Sequence, residues 1–287
     1  MTLRPLLLIV GLLGTLGLSM AAAITDADVA SHLAALKPRV PEGFTVVEQP
    51  PFVVVSDQPA SELALNVNGV RWAVERLKGD FFTKDPDEII DIWLFRDKTS
   101  YEHNTWQLFQ DRPTTPYGYY SRQYHALLMN IATGGGTLVH EIVHPFMRAN
   151  FPACPTWFDE GLASLFEQST DRRGHIVGLV NWRLKGLQRV IRAKTILSFQ
   201  KLTSLSAAEF YGREGNPDYS QYYGQARYLC YYLQEHDLLV RFYREFTANA
   251  SWDPTGYYTL KRVLGVDDMA AFQRKWESFV LELTPPS

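Results

Sequence analysis

Two histidines four residues apart, His140 and His144, stand in the stretch LVHEIVHPFM with Glu141 directly after the first. On an α-helix their imidazoles lie one turn apart on one face, so both can converge on a single ion at the roughly 2.0 to 2.1 Å that zinc requires. Glu141 then stands beside the ion and outside its ligand set, where a carboxylate can take a proton from water that the metal activates. A catalytic zinc site uses three protein ligands and keeps one position open, so a third ligand must come from elsewhere in the chain. The short pattern also arises by chance, and its chemistry therefore rests on the residues downstream of it.

Those downstream residues exclude two classes. A metzincin would carry Gly at position 147 and His at position 150, where this chain has Met147 and Asn150. The inverted order His-x-x-Glu-His is absent as well. After the first motif comes CPTWFDEGLASLFE, Cys154 to Glu167. Trp157, Glu160, Gly161 and Ala163 there match a Trp-x-x-Glu-Gly-x-Ala-like segment. With both motifs, the chain resembles the gluzincins of the peptidase MA superfamily, the group that includes thermolysin and the aminopeptidase N-like enzymes. The resemblance implies that Glu160, on a second helix, is the third ligand of one Zn2+ per chain. Two rivals for that place are Asp159, next to Glu160, and Asp218 in GNPDYSQYYG. The latter segment is similar to the Gly-Thr-x-Asp-x-x-Tyr-Gly of aspzincins, with altered spacing and no Thr.

The chain departs from the gluzincin pattern in three ways. Glu160 follows His144 by only 16 residues. Pro145 lies inside the expected zinc helix, where it removes a hydrogen bond to the Glu141 carbonyl and predicts a kink. The Gly-x-Met-Glu-Asn signature of aminopeptidases is missing, so amino-terminal exopeptidase action is not implied.

Further residues are candidates around the site. Ser164 and Glu167 share the helix face of Glu160, and either can hydrogen-bond a ligand imidazole from behind. The resemblance favours Glu167. In YYGQARYLCYYL, the residues Tyr222, Ala226, Leu229 and Leu233 form a core stripe. Tyr223 lies off that stripe, at a placement similar to the catalytic Tyr of aminopeptidase-like gluzincins, which implies an oxyanion donor; a packing role is the alternative. The resemblance further assigns the substrate-binding edge strand to HALLMNI, with an extended peptide pairing to Ala126–Ile131.

The elements that must position these residues fall into two halves. Between Pro59 and Lys78, Leu63, Val67, Val70, Val74 and Leu77 step by four and three, an amphipathic helix with Gly79 as a stop. FVVVS, IIDIWLF, YGYYS and HALLMNI read as strands, and Gly134 to Gly136 break the chain. Beyond Thr137 the periods are mostly helical, apart from a short HIVGLV run, with Asn181, Asp237 and Asp267 as N-caps. Arg183, Lys185, Arg189, Arg192 and Lys194 read as a solvated face. The expected fold is α+β and zincin-like, with a mixed α/β lobe over 24–150, a mostly helical lobe over 151–287 and an active-site cleft between them.

With 287 residues, 46% of them hydrophobic, the chain can bury a sizeable core, and its net charge of -3 excludes the basic footprint of nucleic-acid binding. Residues 1–23 hold one early Arg, an apolar run and an Ala-x-Ala exit at Ala23, the outline of a secretory signal peptide; a signal anchor is the alternative. The mature chain is then expected to be secreted or periplasmic, without stable membrane insertion. Cys154 and Cys230 are the two cysteines, and in an oxidising compartment they can pair across a loop of 76 residues, worth about 4 kcal/mol, or simply fill the core as thiols. The remaining histidines, His32, His103, His125, His175 and His236, read as surface or satisfied structural residues. The expected function is that of an exported zinc peptidase acting on peptide or protein substrates. The alternatives are a non-catalytic zinc-bound domain that recognises peptide or envelope partners, an aspzincin-like peptidase using Asp218, and a structural envelope protein.

Overall fold

A computed structural model describes residues 24–121, 123–212 and 219–286; the expected signal peptide lies outside them. Helix α1 (Asp26–Leu36) precedes β1 (Thr45–Gln49) and β2 (Phe52–Ser56), and α2 (Ala60–Asp80) crosses to β3 (Ile90–Phe95). Helix α3 (Lys98–Phe109) then leads to β4 (Gly118–Ser121) and β5 (Ala126–Asn130). These strands form one mixed sheet in the order β1-β2-β3-β5-β4. Strands β2, β3 and β5 run parallel, and β1 and β4 pair antiparallel at the two edges.

The central strands are apolar runs because both of their faces are covered. On one face Val54, Ile92, Leu127 and Met129 join the large core that α2 completes with Val67, Val70 and Leu77. On the other, Val53, Val55, Trp93, Phe95 and Leu128 pack with Leu36 of α1 and Tyr101 and Phe109 of α3. This corrects the expected edge strand. All five residues of β5 are buried, and the strand is enclosed between β3 and β4. The edge is β4, GYYS, whose Tyr119 and Tyr120 are half-buried.

The second half contains α4 (Gly136–Asn150), α5 (Thr156–Leu165), a hairpin of β6 (Ser169–Arg172) and β7 (His175–Gly178), and α6 (Arg183–Arg192). Next come α7 (Phe199–Thr203), α8 (Ala207–Tyr211), α9 (Tyr219–Glu235), α10 (Leu239–Asn249), α11 (Tyr257–Leu264) and α12 (Met269–Glu282). The architecture is thus mixed α+β, strand-bearing first and mainly helical afterwards. The large core extends from Phe52 to Val280 and so includes residues of both halves. Helices α5 and α9 meet backbone to backbone at Gly161, where an added Cβ would lie 3.1 Å from the carbonyl carbon and oxygen of Ala226. No helix among the described residues is long and apolar enough to cross a membrane.

Several boundaries differ from the sequence reading. Helix α2 runs through Gly79 to Asp80, because nothing crowds that glycine and Leu77 and Asp80 are both buried. Asp268, not Asp267, caps α12, accepting the amides of Ala270 and Ala271. Asp237 does not cap α10; Leu238 occupies the cap position and Asp237 takes a left-handed φ of 57° before it. Helix α4 continues through Pro145 to Asn150.

Candidate metal centre

Helix α4 buries Leu138, Ile142, Val143, Phe146 and Met147 in the large core, and this fixes its rotation about its axis. His140 and His144, one turn apart, then present their rings to α5, with centroids 5.0 Å apart and planes at 76°. Helix α5 is anchored by Trp157, Phe158, Leu162 and Leu165, all fully buried. The Trp157 indole N–H donates to the Thr255 carbonyl at 2.9 Å. That anchoring turns Glu160, 5% exposed, toward the two imidazoles.

Glu160 Oε2 lies 3.3 Å from His140 Nε2 and 3.9 Å from His144 Nε2. Neither approach is a hydrogen bond, so Oε2 is a buried carboxylate oxygen without a hydrogen-bond donor. One ligand atom from each of His140, His144 and Glu160 falls within 4.8 Å of the others. The opposite nitrogen of each imidazole faces a second carboxylate: Asp159 Oδ1 stands 2.9 Å from His144 Nδ1, and Glu167 Oε1 stands 3.4 Å from His140 Nδ1. Asp159, hydrogen-bonded at Nδ1 of His144, holds the proton there and directs Nε2 inward, whereas His140 Nδ1 is buried without a hydrogen-bond partner and has Glu167 as its nearby charge.

Glu167 is itself clamped. Arg183 donates from Nε to Oε2 at 2.8 Å and from Nη2 to Oε1 at 2.6 Å, and Asn181 Nδ2 donates to Oε2 at 3.2 Å. On the other side of the centre, the Tyr211 hydroxyl donates to Glu160 Oε1 at 2.8 Å.

These neighbours set the charges. Burial alone would raise Glu160, but the His140 imidazole 3.3 Å away, the charge of His144 and the Tyr211 hydroxyl outweigh it and hold the carboxyl down at about 2. Glu167 is held at about 2 in the same way, with Arg183 and His140 overcoming burial. Burial disfavours charged imidazoles, yet the facing carboxylates raise both His140 and His144. Glu141 moves up: burial dominates, Glu160 and Asp159 add to it, and the two imidazoles oppose it.

The structure therefore brings His140, Glu141, His144 and Glu160 together as the sequence reading expects. Asp159 sits behind His144 and Glu160 faces both rings; Asp218 lies outside the described residues. Of the two candidates behind an imidazole, Glu167 takes the place, while the fully buried Ser164 hydroxyl has no hydrogen-bond partner. Tyr223 lies beside the centre, its hydroxyl raised by burial first and then by the charge of Glu160. Its ring packs on Phe210 at 5.1 Å and under the Arg183 guanidinium at 5.1 Å.

Arg183 corrects the reading of a uniformly solvated basic face. Lys185, Arg189, Arg192 and Lys194 are exposed, but Arg183 turns inward to Glu167 with 14% of its side chain exposed. Tyr211 was not singled out by the sequence; a tyrosine in a five-residue helix carries no periodic signal. Cys154 and Cys230 are free thiols, not a disulfide. Burial pushes both thiols up, which favours the neutral apolar form. His32, His125 and His175 pair with Asp91, Glu88 and Asp80, His236 lies 2.8 Å from the Tyr232 carbonyl, and His103 is exposed.

A family described as "Protein of unknown function (DUF1570)" matches residues 135–253, a span that includes every residue of the centre named above. No curated protein matches the chain.

Proposed function

We propose that this chain is an exported zinc-dependent metallohydrolase of the gluzincin type, a peptidase acting on peptide or protein substrates. The observation that carries the reading is Glu160 Oε2, a buried oxygen without a hydrogen-bond donor, turned toward the Nε2 atoms of His140 and His144. Two imidazole nitrogens and one carboxylate oxygen, each imidazole faced from behind by a carboxylate, are the donor set of a hydrolytic zinc site. Export rests on the pattern of residues 1–23.

His140, His144 and Glu160 would hold the ion. Bound there, zinc supplies a Lewis acid that polarises a carbonyl and acidifies water. Glu141, its proton affinity raised by burial, would accept a proton from the attacking water and pass it to the leaving nitrogen. The Tyr223 hydroxyl stays protonated at neutral pH and would donate to the charge that develops on the substrate carbonyl oxygen. Strand β4 is the outermost strand of the sheet beside β5, and an extended peptide would pair along it.

The test starts with elemental mass spectrometry on the mature chain from Ile24, wild type beside Glu160→Gln. One zinc per wild-type chain, lost in the variant, supports the centre; a folded wild type without zinc sinks it. Glu141→Gln should retain zinc and lose cleavage of a denatured protein. A wild type that holds zinc yet cleaves no denatured protein would instead favour the non-catalytic peptide-binding reading.

A further inference from the structure

The two oxygens of Glu160 have different partners. Oε2 faces the imidazoles, whereas Oε1 accepts the Tyr211 hydroxyl at 2.8 Å. Tyr211 ends α8, a short helix fixed at its start by the reciprocal cap between Ser206 and Glu209 and followed by Gly212 at a φ of 69°. Tyr211 is 47% exposed, and its ring stands edge-on to Phe210, with centroids 6.0 Å apart. The side chain thus spans from the surface to a carboxylate that is 5% exposed.

We infer that Tyr211 is a positioning residue that makes Glu160 a one-oxygen ligand and so keeps a coordination position open beside Glu141. The inference rests on the metal-centre reading proposed above. A carboxylate beside a cation can bind through one oxygen or both, and the hydroxyl on Oε1 decides for one. Three protein donors leave a zinc site open to water and substrate, while a fourth closes it. Without the hydroxyl, Oε1 is a buried acceptor whose nearest remedy is to turn toward the ion.

Cobalt(II) in place of zinc reports this directly, because its visible absorption weakens as coordination number rises. Wild type, Tyr211→Phe and Tyr211→Leu are loaded with cobalt and their spectra compared. Both variants should show the weaker band while still binding one ion per chain, whereas Tyr223→Phe should keep the wild-type spectrum. In the zinc forms, Tyr211→Phe should lower kcat by roughly tenfold or more with KM little changed. Wild-type cobalt spectra in both Tyr211 variants would overturn the inference while leaving the metal centre standing. A wild type that takes up neither ion would remove the centre itself, and the role of Tyr211 with it.

Discussion

The Asp159 carboxylate stands 2.9 Å from Nδ1 of His144, while its chain neighbour Glu160 faces Nε2 of the same ring. Two adjacent acids on α5 thus face opposite nitrogens of one imidazole, Glu160 on the side of the candidate metal group and Asp159 behind it. Asp159→Asn keeps the shape and removes the charge that holds the Nδ1 proton. It should weaken zinc affinity roughly tenfold to a hundredfold while leaving one ion per chain at saturation. Competition against a chromophoric chelator measures this, and an unchanged affinity would remove Asp159 from the centre.

Glu167 predicts an acid dependence. Its carboxyl is held at about 2, against an ordinary value of 4.5, chiefly because Arg183 and His140 overcome its burial. A depressed carboxylate contributes stability that is fully present above pH 4.5 and is lost as pH falls toward 2, here on the order of 3 kcal/mol. Chelator-treated Glu167→Gln should therefore be less stable than wild type at neutral pH, with the gap narrowing below pH 4.5. Thermal unfolding at a series of pH values reads the difference; a gap that stays constant down to pH 3 would contradict it.

Two glycines in helices should respond in opposite directions. Gly161 lies against the Ala226 backbone, and a side chain there must push α5 away from α9. Gly161→Val should cost about 1 to 3 kcal/mol and lower zinc occupancy, because Glu160 precedes it. Gly186 in α6 has nothing within 4 Å of an added Cβ, so Gly186→Ala should raise stability by roughly 0.5 to 1 kcal/mol. Denaturant unfolding of both variants checks the pair.

Tyr223→Phe should leave metal content unchanged and reduce kcat about a hundredfold or more, the usual cost of one oxyanion donor. Full turnover in that variant would leave Tyr223 as a packing residue against Phe210 and Arg183.

The parts of the centre that obey local rules were legible in the sequence. His140 and His144 are joined by helix periodicity, and Glu160 by a second motif on the next helix. Glu167 was legible from its position two turns after Glu160. Tyr211 and Arg183 were not, since they reach the centre through tertiary packing from elements whose own patterns say nothing of it. Arg183 sits at the border of a basic face, where a helical period cannot tell an inward guanidinium from a solvated one. Strand order was equally hidden: the composition of β5 marks a strand without naming its neighbours, although its unbroken apolar run already fits an enclosed position. Strand β1 and helix α1 left faint signals because much of each is exposed.

His140, His144 and Glu160 all come from α4 and α5, which are joined by residues 151–155 alone. Bringing such near neighbours together costs little loop-closure entropy, and helical hairpins form early in folding. If the centre holds zinc as proposed, the three donors would meet before Tyr211 or Arg183 arrive from later in the chain. Zinc should accelerate refolding as well as stabilise its product, and stopped-flow refolding with and without the ion would show it. In kinetic terms the α4–α5 pair would then act as a nucleus that the proposed ion templates.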